Sequence, residues 1–237
     1  MRWTDLSRSR RGRRSMTARS FGAVLLCLVT AAGVTVAAFP RNGADAPTEE
    51  ANPASLQLGP AAAEIRLEGG ITEGTARRLR RMLRTHPEVK LVSLTSEGGL
   101  VDEAEQIGDI VAAHGLSTYV PDYCVSACTL VFVRGQERLI ATGGRIGFHA
   151  PWVPDSSGRE VQVGSEEETQ SYLSAGIAPD FTAQAMQVPS SDVWFPDPPR
   201  LLAARVATSY VDPTDLPLRI DRLPPTQRRW ASAIEQP

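Results

Sequence analysis

Residues 96–149, SEGGLVDEAEQIGDIVAAHGLSTYVPDYCVSACTLVFVRGQERLIATGGRIGFH, decide how this chain folds. The apolar run before them, residues 89–95, reads as a buried strand, and Ser96-Glu97-Gly98-Gly99 turns the chain out of it. Val101, Ala104, Ile107, Ile110 and Val111 then recur at spacings near three and four, the pattern of a helix with one buried stripe. His114-Gly115 closes that helix with a cation-capable side chain and a residue free to take the left-handed cap. A short strand, residues 116–120, leads through Pro121-Asp122-Tyr123 into Cys124-Val125-Ser126-Ala127-Cys128-Thr129, where a second apolar helix is predicted from Ser126 to about Val133. Gly135 ends it, residues 138–141 form the next strand, and Thr142-Gly143-Gly144 turns into Ile146-Gly147-Phe148-His149. Strands alternating with helices predict an α/β fold of repeated βαβ units with right-handed crossovers.

This layout supplies three parts of an acyl-transfer site. A glycine pair just past a strand end can aim backbone N–H groups into a pocket that no side chain obstructs. A serine at a helix start lies where the macrodipole and free amides favour developing negative charge. A histidine at a later strand end can take the serine's proton. On spacing alone, Ser126 reads more readily as a hydroxyl that caps its own helix.

These residues resemble the Clp protease proteolytic subunit and its crotonase-fold relatives, through the Gly-Gly turn, the serine about 28 residues on, and the histidine about 23 beyond that. They are more similar still to ClpP-like bacterial envelope proteins that carry S-x-G-G, C-x-S-A-C and G-x-H in this order. The similarity covers residues 64–211. It implies a ClpP/crotonase-like fold, with Ser126 as nucleophile, His149 as base, and the amides around Gly98, Gly99 and Ala127 as the oxyanion hole. Asp192, 43 residues past His149 and just before an aromatic strand, falls where such families keep a third triad residue; a turn or cap aspartate is the competing reading, and Asp180 and Asp155 are weaker candidates. Membrane-bound relatives such as signal peptide peptidase A use a Ser–Lys dyad. The single lysine here, Lys90, precedes the glycine turn and is badly placed for that role. Cysteines flank Ser126 where the protease has small residues and a methionine, and the roughly 40 residues after His149 read as an insertion.

Cys124 and Cys128 are four apart, about 6 Å between Cα atoms on a regular helix and inside disulfide range. A disulfide and two buried thiols are both consistent with that spacing. The sequence holds no phosphate loop, dinucleotide fingerprint or metal-ligand cluster, so neither cofactor nor metal is expected.

Outside this core, residues 1–20 carry seven arginines against one acid, and residues 21–39 run without a charge. A basic flank before an apolar stretch suits an uncleaved transmembrane anchor or a cleaved signal peptide; the length of the run favours the anchor, and a start at Met16 would favour cleavage. Either places the following domain in the periplasm, tethered to the bacterial inner membrane in the first case. The whole chain has 25 basic and 27 acidic residues; without residues 1–19 it has 18 and 26, a net charge of −8. That balance argues against a nucleic-acid partner. Residues 40–60, rich in alanine, proline and small polar residues, read as a flexible linker, residues 61–211 as the ClpP/crotonase-like domain, and residues 212–237 as a proline-rich tail.

Within the domain, Arg77, Arg78, Arg80, Arg81 and Arg84 read as the solvated face of a helix starting at Thr72. Residues 150–164 read as a loop or lid, and Ser165-Glu166-Glu167-Glu168 as a capping box. Asp180 caps a further short helix in this reading. The expected function is a membrane-tethered, outward-facing serine hydrolase, a peptidase acting on a peptide or protein through an acyl-enzyme, with a homo-oligomer left open. The alternative is a catalytically inactive crotonase-like scaffold that binds an envelope partner. Acyl-CoA chemistry shares the fold but suffers from location.

Overall fold

Alternation along the strands sorts the apolar side chains of this chain onto two faces of one sheet. The computed structural model describes residues 53–59 and 62–223. Its elements are β1 (Ser55–Leu58), β2 (Glu64–Glu68), α1 (Thr75–Thr85), β3 (Leu91–Thr95), α2 (Val101–His114), β4 (Ser117–Val120), β5 (Tyr123–Val125), α3 (Cys128–Phe132) and β6 (Arg138–Ala141). They continue with β7 (Arg145–Gly147), β8 (Trp152–Pro154), β9 (Glu160–Gln162), α4 (Glu166–Ser174), α5 (Pro179–Ala185), α6 (Pro198–Ala203), β10 (Ser209–Val211) and α7 (Leu216–Arg222). The main sheet runs β1-β2-β3-β4-β6-β10. β1 is antiparallel to β2 and every other pair is parallel, as helix crossovers require.

On β4 and β6 the period of two is explicit. Val120 and Ile140 point into the larger core with Leu79, Ile107 and Phe132 from the helices, whereas Tyr119, Leu139 and Ala141 point to the opposite face. α7 lies on that opposite face through Leu216 and Ile220. The arginines of α1 are exposed while Thr75, Ala76, Leu79 and Leu83 are buried. The start of α1 is fixed from outside the helix: the Glu103 carboxylate on α2 accepts from the amides of Gly74 (2.8 Å) and Ala76 (2.9 Å). Two donors that the helix cannot satisfy itself are thereby paired.

Several expectations are corrected. The linker drawn over residues 40–60 contains β1, whose Leu56 packs on the core, so ordered structure starts before residue 61. The tail drawn from residue 212 continues as a 3₁₀ turn, Pro213–Asp215, and then α7. Pro213 and Pro217 sit in first turns, where the missing N–H is no loss. Residues 151–163 form an antiparallel hairpin, β8–β9, in place of an irregular loop. Ser165 makes no side-chain cap on α4, and Pro179 rather than Asp180 starts α5. α1 begins at Thr75 rather than Thr72, and of the expected aromatic strand only Trp194 pairs, with Phe148. His114 lies in the last turn of α2 and Gly115 takes the left-handed cap, both as expected; His114 is buried, and burial together with Arg80 lowers its pKa. Among the described residues no helix is long and apolar enough to cross a membrane. Residues 1–20, the apolar run 21–39 and residues 224–237 lie outside the described residues.

Candidate active site

The site forms beyond the carboxyl end of β3, where open α/β sheets leave room for ligands. Ser96 is fully buried, and its Oγ accepts from the Gly98 amide at 3.1 Å. The serine of S-x-G-G therefore closes the glycine turn. Gly98 has φ 106°, and a Cβ there would lie 2.8 Å from the Ser126 Cβ, 2.8 Å from the Val125 oxygen and 3.0 Å from the Ala127 nitrogen. Gly99 has φ 138°, and a Cβ there would lie 2.2 Å from the Ile71 oxygen. Only glycines let this turn lie against both neighbours.

Ser126 sits between β5 and α3 with φ 57°, a left-handed conformation unusual for a residue with a side chain. Strand pairing holds it there: Ser96 pairs with Cys124, Val125 pairs with Gly147, and the Ser126 amide donates to the Gly147 oxygen at 3.0 Å. A disulfide joins Cys124 to Cys128 across the turn, with Cα atoms 5.4 Å apart. Below the turn, the Thr129 hydroxyl donates to the Ser126 carbonyl at 2.7 Å, which leaves the Tyr172 hydroxyl to donate to Thr129 Oγ1 at 2.5 Å. Burial pushes the Tyr172 pKa well up, so it stays a donor. The bent backbone is thus braced on three sides, as a strained position must be.

Beyond the end of β7 at Gly147 the chain runs on to His149, anchored by the Phe148–Trp194 bridge and by ring contacts of Phe148 with Tyr172 and Phe181. Ser126, Ala127 and His149 line one small cavity of about 20 Å³, with Leu130, Glu168 and Tyr172 among its other walls. Among the described residues no hydrogen bond joins Ser126 to His149, a separation common before substrate binds. His149 Nδ1 lies 2.8 Å from the Ala150 carbonyl, a pairing that makes Nδ1 the donor and leaves Nε2 as the acceptor.

Of the expected oxyanion donors, Gly98 is already committed to Ser96, whereas nothing among the described residues accepts from the amides of Gly99 and Ala127. Among the described residues no hydrogen bond joins Asp192 to His149. Asp192 is exposed, and its carboxylate accepts from the Val193 amide at 2.8 Å, the turn role that short acids take locally. Asp180 pairs with Arg200, and Asp155 is held in the β8–β9 turn by Ser157 and Arg159, which bring its pKa down to about 2. Glu168, Thr129 and Tyr172 were not among the residues expected at the site. Their signal was the i,i+4 spacing of Glu168 and Tyr172 on one helix face. Among the described residues no group of three or more His, Cys, Asp or Glu could hold a metal ion.

In comparison with solved structures, the chain superposes on a ClpP1 mutant from Listeria monocytogenes with a TM-score of 0.51 and 12% identity, over 65% of this chain and 93% of that one. The fold is ClpP-like. A mutant of the 1510-N membrane-bound stomatin-specific protease superposes with a TM-score of 0.49 and 15% identity, over 66% of this chain and 81% of that one. A second mutant of the same protease, in complex with a substrate peptide, gives 0.48 and 16%, over 65% and 75%. No protein-family model and no curated protein matches the chain.

Proposed function

We propose that this ClpP-like chain is a serine hydrolase that cleaves peptides through an acyl-enzyme on Ser126. The observation that carries the reading is Ser126 itself, held left-handed on a strand-to-helix turn in the same cavity as His149. A strained turn of that kind lifts a nucleophile clear of its own helix. Ser126 Oγ attacks the scissile carbonyl carbon while its proton passes to His149 Nε2. The amides of Gly99 and Ala127 hold the resulting oxyanion. The C–N bond then breaks as Nε2–H protonates the leaving amine. A water, deprotonated by His149, attacks the ester, and Ser126 recovers its proton, so each turnover consumes one water. The Ala150 carbonyl, in the place of an aspartate, fixes the imidazole tautomer.

In the same proposal, residues 21–39 tether the protein to the bacterial inner membrane with residues 1–20 inside and the ClpP-like domain in the periplasm. The seven arginines before the apolar run support that orientation. Activity of a cytoplasm-only reporter fused after Pro237 would reject it. The inactive-scaffold reading draws on the missing Ser126–His149 hydrogen bond. A panel of peptide and ester substrates decides between the two. Ser126→Ala and His149→Ala should each abolish turnover without loss of helix signal by circular dichroism, and the double variant should be scarcely worse than either alone. Turnover by none of the proteins, wild type included, favours the scaffold.

A further inference from the structure

Glu168 lines the cavity with Ser126 and His149 and takes no part in the chemistry above. It is 9% exposed, and its carboxyl makes no hydrogen bond to another residue among the described residues. A buried carboxyl needs a partner for its charge, because leaving water without one is costly. Among the described residues no cation pairs with it. Burial and the neighbouring Glu105, Glu167 and Glu166 all push the Glu168 pKa up, and the Arg134 guanidinium is committed to Asp109 and Ser174. Val101, Leu130 and Met186 make other walls of the cavity apolar, so a charge that does enter is poorly screened.

We infer that Glu168 determines specificity here, by seating a primary ammonium group that the substrate carries next to its scissile carbonyl. The amino-terminal residue of a peptide has that arrangement. The inference rests on the serine-hydrolase reading of the same cavity. Size selects the ligand group: about 20 Å³ takes one group the size of a water molecule. An ammonium is that compact and brings three donors, whereas a guanidinium is a broad planar fork. Reach selects its position. The cavity that Glu168 lines is the one Ser126 and His149 line, so one substrate can present its ammonium to Glu168 and the adjoining carbonyl to Ser126.

The test uses the full chain and two substrates that differ in one charge, alanyl and N-acetylalanyl 4-nitroanilide. Wild type should prefer the free amine in kcat/KM by about ten- to a hundredfold, the range of a hydrogen bond to a charged group. Glu168→Gln should bring the ratio to within about threefold of unity, and Glu168→Asp should keep part of the preference. A second measurement needs no variant: alanine amide should slow fluorophosphonate modification of wild-type Ser126 more than N-acetylalanine amide does. A wild type that takes the probe but shows no preference in either experiment overturns the inference alone, as does an unchanged ratio in Glu168→Gln. A wild type that takes no probe at Ser126 overturns the nucleophile and this inference together.

Discussion

Gly98→Ala isolates the contact on which the geometry of the site depends. Two effects act on it. The φ of 106° is strained for any residue with a Cβ, and such positions cost about 1–3 kcal/mol. The new methyl also lands 2.8 Å from both the Ser126 Cβ and the Val125 oxygen, where neither neighbour is the end of a flexible chain. Crowding a packed site in this way costs about 1–3 kcal/mol more. Gly143→Ala is the control, since Gly143 has φ 96° and nothing within 4 Å of its added Cβ. It should lose only the first contribution. For a domain of this size, each kcal/mol lowers the melting temperature by about 2–4 °C. Gly98→Ala should therefore melt about 2–12 °C below Gly143→Ala. Thermal and urea unfolding followed by circular dichroism measure both variants. Equal losses would mean that Gly98 does not press on the Ser126 turn, and the account of that turn would fail.

Asp192→Asn should keep kcat/KM within about threefold of wild type, because the amide oxygen still accepts from Val193; a triad aspartate would lose about 10⁴-fold. Mass spectrometry of unreduced peptides spanning Tyr123 to Arg134 should find Cys124 bonded to Cys128, and reduction should destabilise the fold by about 2 kcal/mol, the chain-entropy figure for so short a loop. Two freely alkylated thiols in the native protein would remove that brace. Tyr172→Phe should cost about 1 kcal/mol in urea unfolding and Thr129→Val more, since the valine leaves both the Tyr172 hydroxyl and the Ser126 carbonyl without a partner. The Asp155 carboxyl should titrate near pH 2 by NMR. Its depressed value makes its contribution to the hairpin complete above about pH 4 and lost as pH falls through about 2; titration near pH 4 would deny the Ser157 and Arg159 contacts.

The main strands and α2 were legible because their apolar spacing is strong and local. The glycine turn was legible in position but not in its wiring. That Gly98 gives its amide to Ser96 depends on a side chain two residues back closing the turn, a choice the motif does not reveal. Ser126 read as an ordinary helix start; its left-handed backbone is imposed by the pairing of β5 with β7 and the close approach of Gly98, both contacts distant in sequence. Prolines 213 and 217 read as breakers, although Pro is at home in a first turn, and so α7 was missed. Glu168 read as the acid of a capping box opened by Ser165, a local role at a helix start. Only the packing of α4 shows that it is turned inward.

The central claim is that Ser126 is an activated nucleophile, and its most direct test is reaction of the full-length protein with a fluorophosphonate, mapped by mass spectrometry. The account predicts one adduct, on Ser126, absent from Ser126→Ala and formed far more slowly by His149→Ala. No adduct on folded wild type, or one formed on Ser126 just as fast without His149, would contradict it.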